Sequence, residues 1–100
     1  METDCNHCQE AIPELNMLAD TLIIPIFIGL IPKGDELRTR FIDEFQPAFP
    51  IEQISDDTFW RLLGDGHIPR VFLVRDGRIL KVWDGRVPDE KSIKAVEELS

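Results

Sequence analysis

The sequence predicts an α/β protein, a three-layer sandwich built on a mixed sheet. Three observations carry this. Helical and extended patterns alternate along the chain. One continuous apolar run, Leu22 to Leu30, has the isoleucine content and length of a strand buried on both faces, the habit of a parallel sheet. Two β-branched segments flank Asp76-Gly77 near the C-terminus, which is a hairpin signal and adds an antiparallel pair.

The elements follow in order. Asn6 to Asp20 has apolar residues at Ile12, Leu15, Leu18 and Ala19, a helical spacing, with Pro13 expected to kink it. The apolar strand comes next and stops at Pro32, Lys33 and Gly34. Asp35 is placed to cap a helix through about Phe45, with Leu37, Phe41, Ile42 and Phe45 on one face. Pro47 and Pro50 break that helix before a short strand within Phe49 to Ile54. Ser55 and Asp56 offer caps for a helix carrying Phe59, Trp60, Leu62 and Leu63, closed by Gly64. A loop through His67 and Ile68 reaches Pro69. The hairpin strands Val71 to Val74 and Ile79 to Trp83 follow, with Trp60 and Trp83 expected in the core or on a sheet face. Pro88 and Asp89 open a last helix that buries Ile93, Val96 and Leu99.

The 100 residues hold one domain, spanning residues 1–100. Hydrophobic residues are 43% and charged residues 30%, a globular balance. The net charge of −8 argues against a nucleic-acid binder, which would carry a basic stripe, and against an anionic membrane surface. The acidity is uneven: positions 1–50 hold three basic against nine acidic residues, positions 51–100 eight against ten. Both cysteines lie in the more acidic half, so cationic support for a thiolate must be local. The apolar run is too short to span a membrane and is interrupted by Pro25 and Gly29.

Cys5-Asn6-His7-Cys8 holds the only two cysteines, at the start of the first helix. Such a pair can close a small disulfide ring. The first sulfur would meet unbonded backbone N–H groups and the positive end of the helix dipole, which favour a thiolate. A protonated His7 would help, and the second sulfur would be positioned to resolve a mixed disulfide. Two other readings stand beside this one: half of a zinc site, for which no second C-x-x-C exists, and a pair of inert thiols. His67 reads as a solvated loop residue, a partner that tunes a thiol, or a copper ligand. The basic residues Arg70, Arg75, Arg78, Lys81 and Arg86 read as the hairpin's solvated face.

The run Cys5-x-x-Cys8-x4-Pro13 and the stretch Ile68-Pro-Arg-Val-Phe-Leu-Val-Arg-Asp-Gly77 resemble the thioredoxin superfamily, most closely its TlpA-like thiol–disulfide oxidoreductases. The resemblance covers essentially the whole chain and implies a thioredoxin-like three-layer sandwich. It implies that Cys5 attacks and Cys8 resolves, with His7 beside them. It implies that Pro69 is the family's cis-proline, and that Ile68 and Pro69 present backbone to an extended substrate. No cofactor is implied. The implied partners are protein thiol or disulfide substrates and a redox partner protein. The implied setting is extracytoplasmic, with any membrane anchor upstream of this chain, although a lone C-x-x-C also works in a cytoplasm. The other reading on the same scaffold is a copper-binding or catalytically silent binding module.

Three departures accompany the resemblance. Asp4 stands where the family commonly has an aromatic residue, and a carboxylate there opposes a Cys5 thiolate. Ala11 stands where many TlpA-like members carry a buried acid. The family's first core strand, central in the sheet, would lie before Cys5, where only Met1 to Asp4 stand. The sequence therefore reads as incomplete at the N-terminus, a fragment of a longer chain, with a neighbouring chain or a rearranged sheet as the other ways to fill the gap.

Overall fold

The computed structural model describes residues 1–22 and 26–99. Among these the chain is α/β, with four helices and two two-stranded sheets. The order is α1 (Asn6–Thr21), β1 (Gly29–Pro32), α2 (Arg38–Phe45), β2 (Ile51–Ile54), α3 (Asp56–Leu63), β3 (Arg70–Arg75), β4 (Arg78–Asp84) and α4 (Glu90–Leu99).

Helix α1 runs unbroken through Pro13 and buries Cys8, Ala11, Ile12, Leu15 and Leu18 along one face. Among the described residues, the expected strand over Leu22 to Leu30 forms only at its end. Its first part at 23–25 lies outside the described residues, and Ile26 and Ile28 are 83% and 59% exposed rather than buried. The paired strand is Gly29–Pro32, so Pro32 is inside it. Pro32 occupies a position whose nitrogen the neighbouring strand does not use, which is how an edge tolerates proline. Gly29 is packed so closely that an added Cβ would lie 2.6 Å from Ile51 Cδ1.

Helix α2 starts at Arg38, later than the Asp35 cap would place it. The Asp35 carboxylate instead accepts from the Leu37 N–H at 3.1 Å, a local turn that delays the helix, and from Thr3. Helix α3 is capped as expected: Ser55 Oγ accepts from the Thr58 N–H at 3.2 Å, and Asp56 and Asp57 sit in the positive first turn. Trp60 lies outside the core, 51% exposed, while Trp83 is buried. The hairpin turn puts Asp76 and Gly77 at φ values of 51° and 77°. Two successive positive φ angles match the twist of the flanking strands and suit Asp-Gly.

Strands β1 and β2 pair in parallel, with Gly29 opposite Ile51. Strands β3 and β4 pair antiparallel, with Val71 opposite Trp83 and a bulge between Leu73 and Val74. The two sheets do not join among the described residues. Each has its own core. Ala11, Ile12, Leu15, Ile31, Phe41, Phe49 and Ile51 form one, and Leu18, Leu22, Leu73, Trp83 and Ile93 form the other.

Candidate functional site

Cys5 is the residue that precedes the first turn of α1 and Cys8 lies within that turn. Both are free thiols. Cys5 is partly exposed and Cys8 has no exposed surface. The Cys8 and Cys5 side chains are within hydrogen-bonding reach of each other. Burial pushes the Cys8 thiol up to about 12, with smaller upward contributions from Cys5, against the Glu2 backbone and the Met1 ammonium, which both favour the thiolate. The pair is therefore asymmetric. The sulfur at the helix start meets solvent, and the one behind it stays protonated.

The N-terminal residues build the wall around Cys8. The Met1 ammonium donates to the Leu30 carbonyl of β1 at 2.9 Å. Burial lowers its pKa, while Cys8, Glu2, Cys5 and Asp35 oppose that shift. Thr3 is buried; its N–H and hydroxyl donate to the two Asp35 oxygens at 3.0 and 2.6 Å. Burial alone would raise the Asp35 carboxyl, but the Thr3 hydroxyl and N–H and the Leu37 N–H outweigh it and hold it below its ordinary value. Gln9 Nε2 closes the turn by donating to the Thr3 carbonyl at 3.0 Å. Burial and the neighbouring Asp4 push the Glu2 carboxyl up. Sequence reading misses this brace. Thr3 and Asp35 are far apart in sequence and no short motif links them.

The Ile68–Pro69 peptide is cis and Pro69 is buried. The loop before it is clamped from both sides. The His67 N–H donates to Asp84 Oδ1 at 2.8 Å, and Arg70 Nη1 donates to the Leu62 and Leu63 carbonyls, the former at 3.2 Å. Arg70 also lies 3.8 Å from Asp84 Oδ1 and sits over the Phe72 ring. Arg70 is thus part of the loop clamp, whereas Arg75, Arg78, Lys81 and Arg86 are exposed as expected.

Ile68 and Pro69 open onto an apolar cleft of about 380 Å³ between the two sheets. Its walls include Leu15 and Leu18 of α1, Ile28 and Leu30 at β1, Val71 and Leu73 of β3, and Met1. Met1 is the link between the two regions: its side lines the cleft and its ammonium neighbours both cysteines. His7 is exposed on α1 and His67 is exposed with its Cβ against Gly85. Among the described residues no group of three or more His, Cys, Asp or Glu side chains is arranged to hold a metal ion. Nor is any described helix long and apolar enough to cross a membrane.

No family model matches the chain, and no curated protein matches it.

Proposed function

We propose that this protein is a thiol–disulfide oxidoreductase of thioredoxin-like, TlpA-like design. The observation that carries the reading is the asymmetric pair: a partly exposed Cys5 at the start of α1 and a fully buried, protonated Cys8 within reach of it. A parallel pair, then a hairpin with a cis Ile68–Pro69 bond at its entry, then a terminal helix, supports the thioredoxin-like topology. The parallel pair and the antiparallel pair on either side of one apolar cleft support a mixed sheet.

In the reducing direction Cys5 thiolate attacks one sulfur of a substrate disulfide. That S–S bond breaks, and the electron pair leaves on the other substrate sulfur. Cys8 then loses its proton to water or to the departing thiolate and attacks Cys5 Sγ. The mixed disulfide breaks, the second substrate thiolate leaves, and a Cys5–Cys8 disulfide remains. Two electrons have passed to the substrate. The oxidising direction is the reverse. His7 lies between the two cysteines in the first turn of α1 and is exposed. Ile68 and Pro69 form a wall against which an extended substrate lies. The partners are protein cysteine pairs and a redox protein that resets the couple, in an extracytoplasmic setting.

The test is disulfide exchange with a disulfide-bonded peptide. Cys5→Ser should abolish turnover, and Cys8→Ser should accumulate a mixed disulfide at Cys5, read by mass spectrometry. Turnover retained in Cys5→Ser, with no adduct in Cys8→Ser, overturns the reading. A second reading, a catalytically silent binding module, is favoured by the apolar cleft beside Ile68 and Pro69; it predicts wild-type chain inactive in the same assay.

A further inference from the structure

We propose that the groove between the N-terminal turn, the end of β1 and α3 holds a basic segment of the substrate protein, an Arg-bearing stretch beside the disulfide that Cys5 attacks. The attack rests on the oxidoreductase reading; the groove stands on its own walls. It measures about 500 Å³, with Pro32, Leu37 and Trp60 as its apolar floor. Trp60 is 51% exposed and Leu37 44%. Trp60 is nonetheless held in place. Its ring meets that of the buried Phe59 edge-on, with centroids 5.1 Å apart and planes at 63°. An exposed, fixed indole face is the best side-chain partner for a guanidinium.

Charge selects the occupant. Glu2, Asp4, Asp35, Glu36 and Asp56 stand around that floor, and no basic residue lines it. Among the described residues none of the five makes an ion pair. Two are held at the rim by backbone: Asp35 accepts from the Thr3 and Leu37 N–H groups, and Asp56 from the Gly34 N–H at 3.1 Å. The acids also act on one another. Beyond burial, Asp4 and Asp35 push the Glu2 carboxyl up, and the Met1 ammonium opposes them. A neutral or acidic segment leaves this charge uncompensated, whereas a basic one offsets it. The groove adjoins the reactive sulfur. Asp4 precedes Cys5 in the chain, and the Glu2 carbonyl accepts from the Cys5 N–H at 3.4 Å. A guanidinium bound beside Asp4 therefore also offsets the carboxylate that opposes a Cys5 thiolate. Docking of the substrate and activation of the thiol become one event.

The test uses disulfide-bonded peptides that share one cystine ring and differ only in flanks of Arg, Gln or Glu. Exchange by the unaltered chain is read as kcat/KM. Binding to the Cys5→Ser/Cys8→Ser chain, which cannot exchange, is read by calorimetry. The Arg peptide should bind and react about tenfold better than the Gln peptide, the sum of a cation–π contact and surface ion pairs. The Glu peptide should do worse than both. The gain should vanish at 1 M salt, where the screening length is about 3 Å. Trp60→Ala and, separately, Glu36→Gln should each cut the Arg advantage at least about twofold. Glu98→Gln, an exposed acid on α4 outside the groove, should leave it unchanged. Glu36→Gln is nearly isosteric at an exposed position and guards against a Trp60→Ala chain that fails to fold. Equal affinity for the three peptides overturns the proposal. So does an Arg preference that Trp60→Ala and Glu36→Gln leave intact, or one that Glu98→Gln lowers as much, since that is attraction to net charge alone. Preferential binding of the Arg peptide without exchange of any peptide supports the groove and sinks the oxidoreductase reading. Exchange without preference does the reverse.

Discussion

Replacing Cys5 with Ser leaves Cys8 as the one thiol, and its reactivity measures how burial acts on it. The Cys8 thiol stands at about 12 against an ordinary 9.0. That difference is about a thousandfold in thiolate at neutral pH. Only the thiolate reacts, so iodoacetamide should label Cys8 about a thousandfold more slowly in the folded chain than in denaturant. Loss of Cys5 removes a minor upward contribution; burial, the largest cause, remains. Between pH 7 and 10 the folded rate should climb about tenfold per pH step of one, as the thiolate fraction does. The same group shapes stability. Its folded pKa lies above its unfolded one, so the contribution is whole below pH 9.0 and is lost as pH rises towards 12. The full span is about 4 kcal/mol. Peptide mapping by mass spectrometry over a time course gives the rate. Folded labelling within about tenfold of the denatured rate would refute the reasoning, because a thiol held near 12 is far less ionised than that.

Other expected outcomes concern the surroundings of the pair. Thr3→Val removes a buried hydroxyl that donates to the Asp35 carboxylate and should lower stability by about 1.5–3 kcal/mol in chemical denaturation. Because the Asp35 pKa is depressed, its contribution is present above its ordinary 3.8 and lost as pH falls through the folded value. The variant should therefore show a shallower acid limb in a stability–pH profile. Gly66→Ala sets a Cβ 2.5 Å from Asp84 Oδ1 and 2.9 Å from the Leu63 carbonyl, and backbone cannot yield as a side chain can. It should cost about 1–3 kcal/mol and release the His67 N–H from Asp84, seen as faster exchange at His67. Ile93→Ala opens the core under β3 and β4 and should lower stability by about 2–5 kcal/mol by thermal unfolding.

Much of the α/β pattern is legible in the sequence because its signals are local. Ser55, Gly64 and Asp76-Gly77 act on their own turns, and each ends or begins an element where the sequence places it. The strand at Leu22 to Leu30 departs from expectation because a continuous apolar run has no period to set its register. Pairing with β2 selects Gly29–Pro32, where the missing Gly29 side chain admits Ile51. The start of α2 departs because Asp35 has a rival partner in Thr3, which no local window contains. Trp60 sits on a short helix whose apolar face is narrower than its hydrophobic residues suggest; Phe59 takes the buried place. At the site, the spacing of Cys5 and Cys8 points to their closeness and to the exposure of the first. The part played by Met1 and by the Arg70–Asp84 clamp depends on long-range packing alone.

Helix α1 contributes Ala11, Ile12 and Leu15 to one core and Leu18 to the other. A single rod therefore couples the two cores, together with Phe27 and Val87, which pack against both. The hairpin closes over a two-residue turn and can form in microseconds, whereas the parallel pair must first enclose α2 in a loop. Neither unit holds its apolar face until α1 docks. Folding should thus be timed by the arrival of α1 on its second partner. Substitutions at Leu15 and Leu18, barely one turn apart, would report on different halves of the molecule.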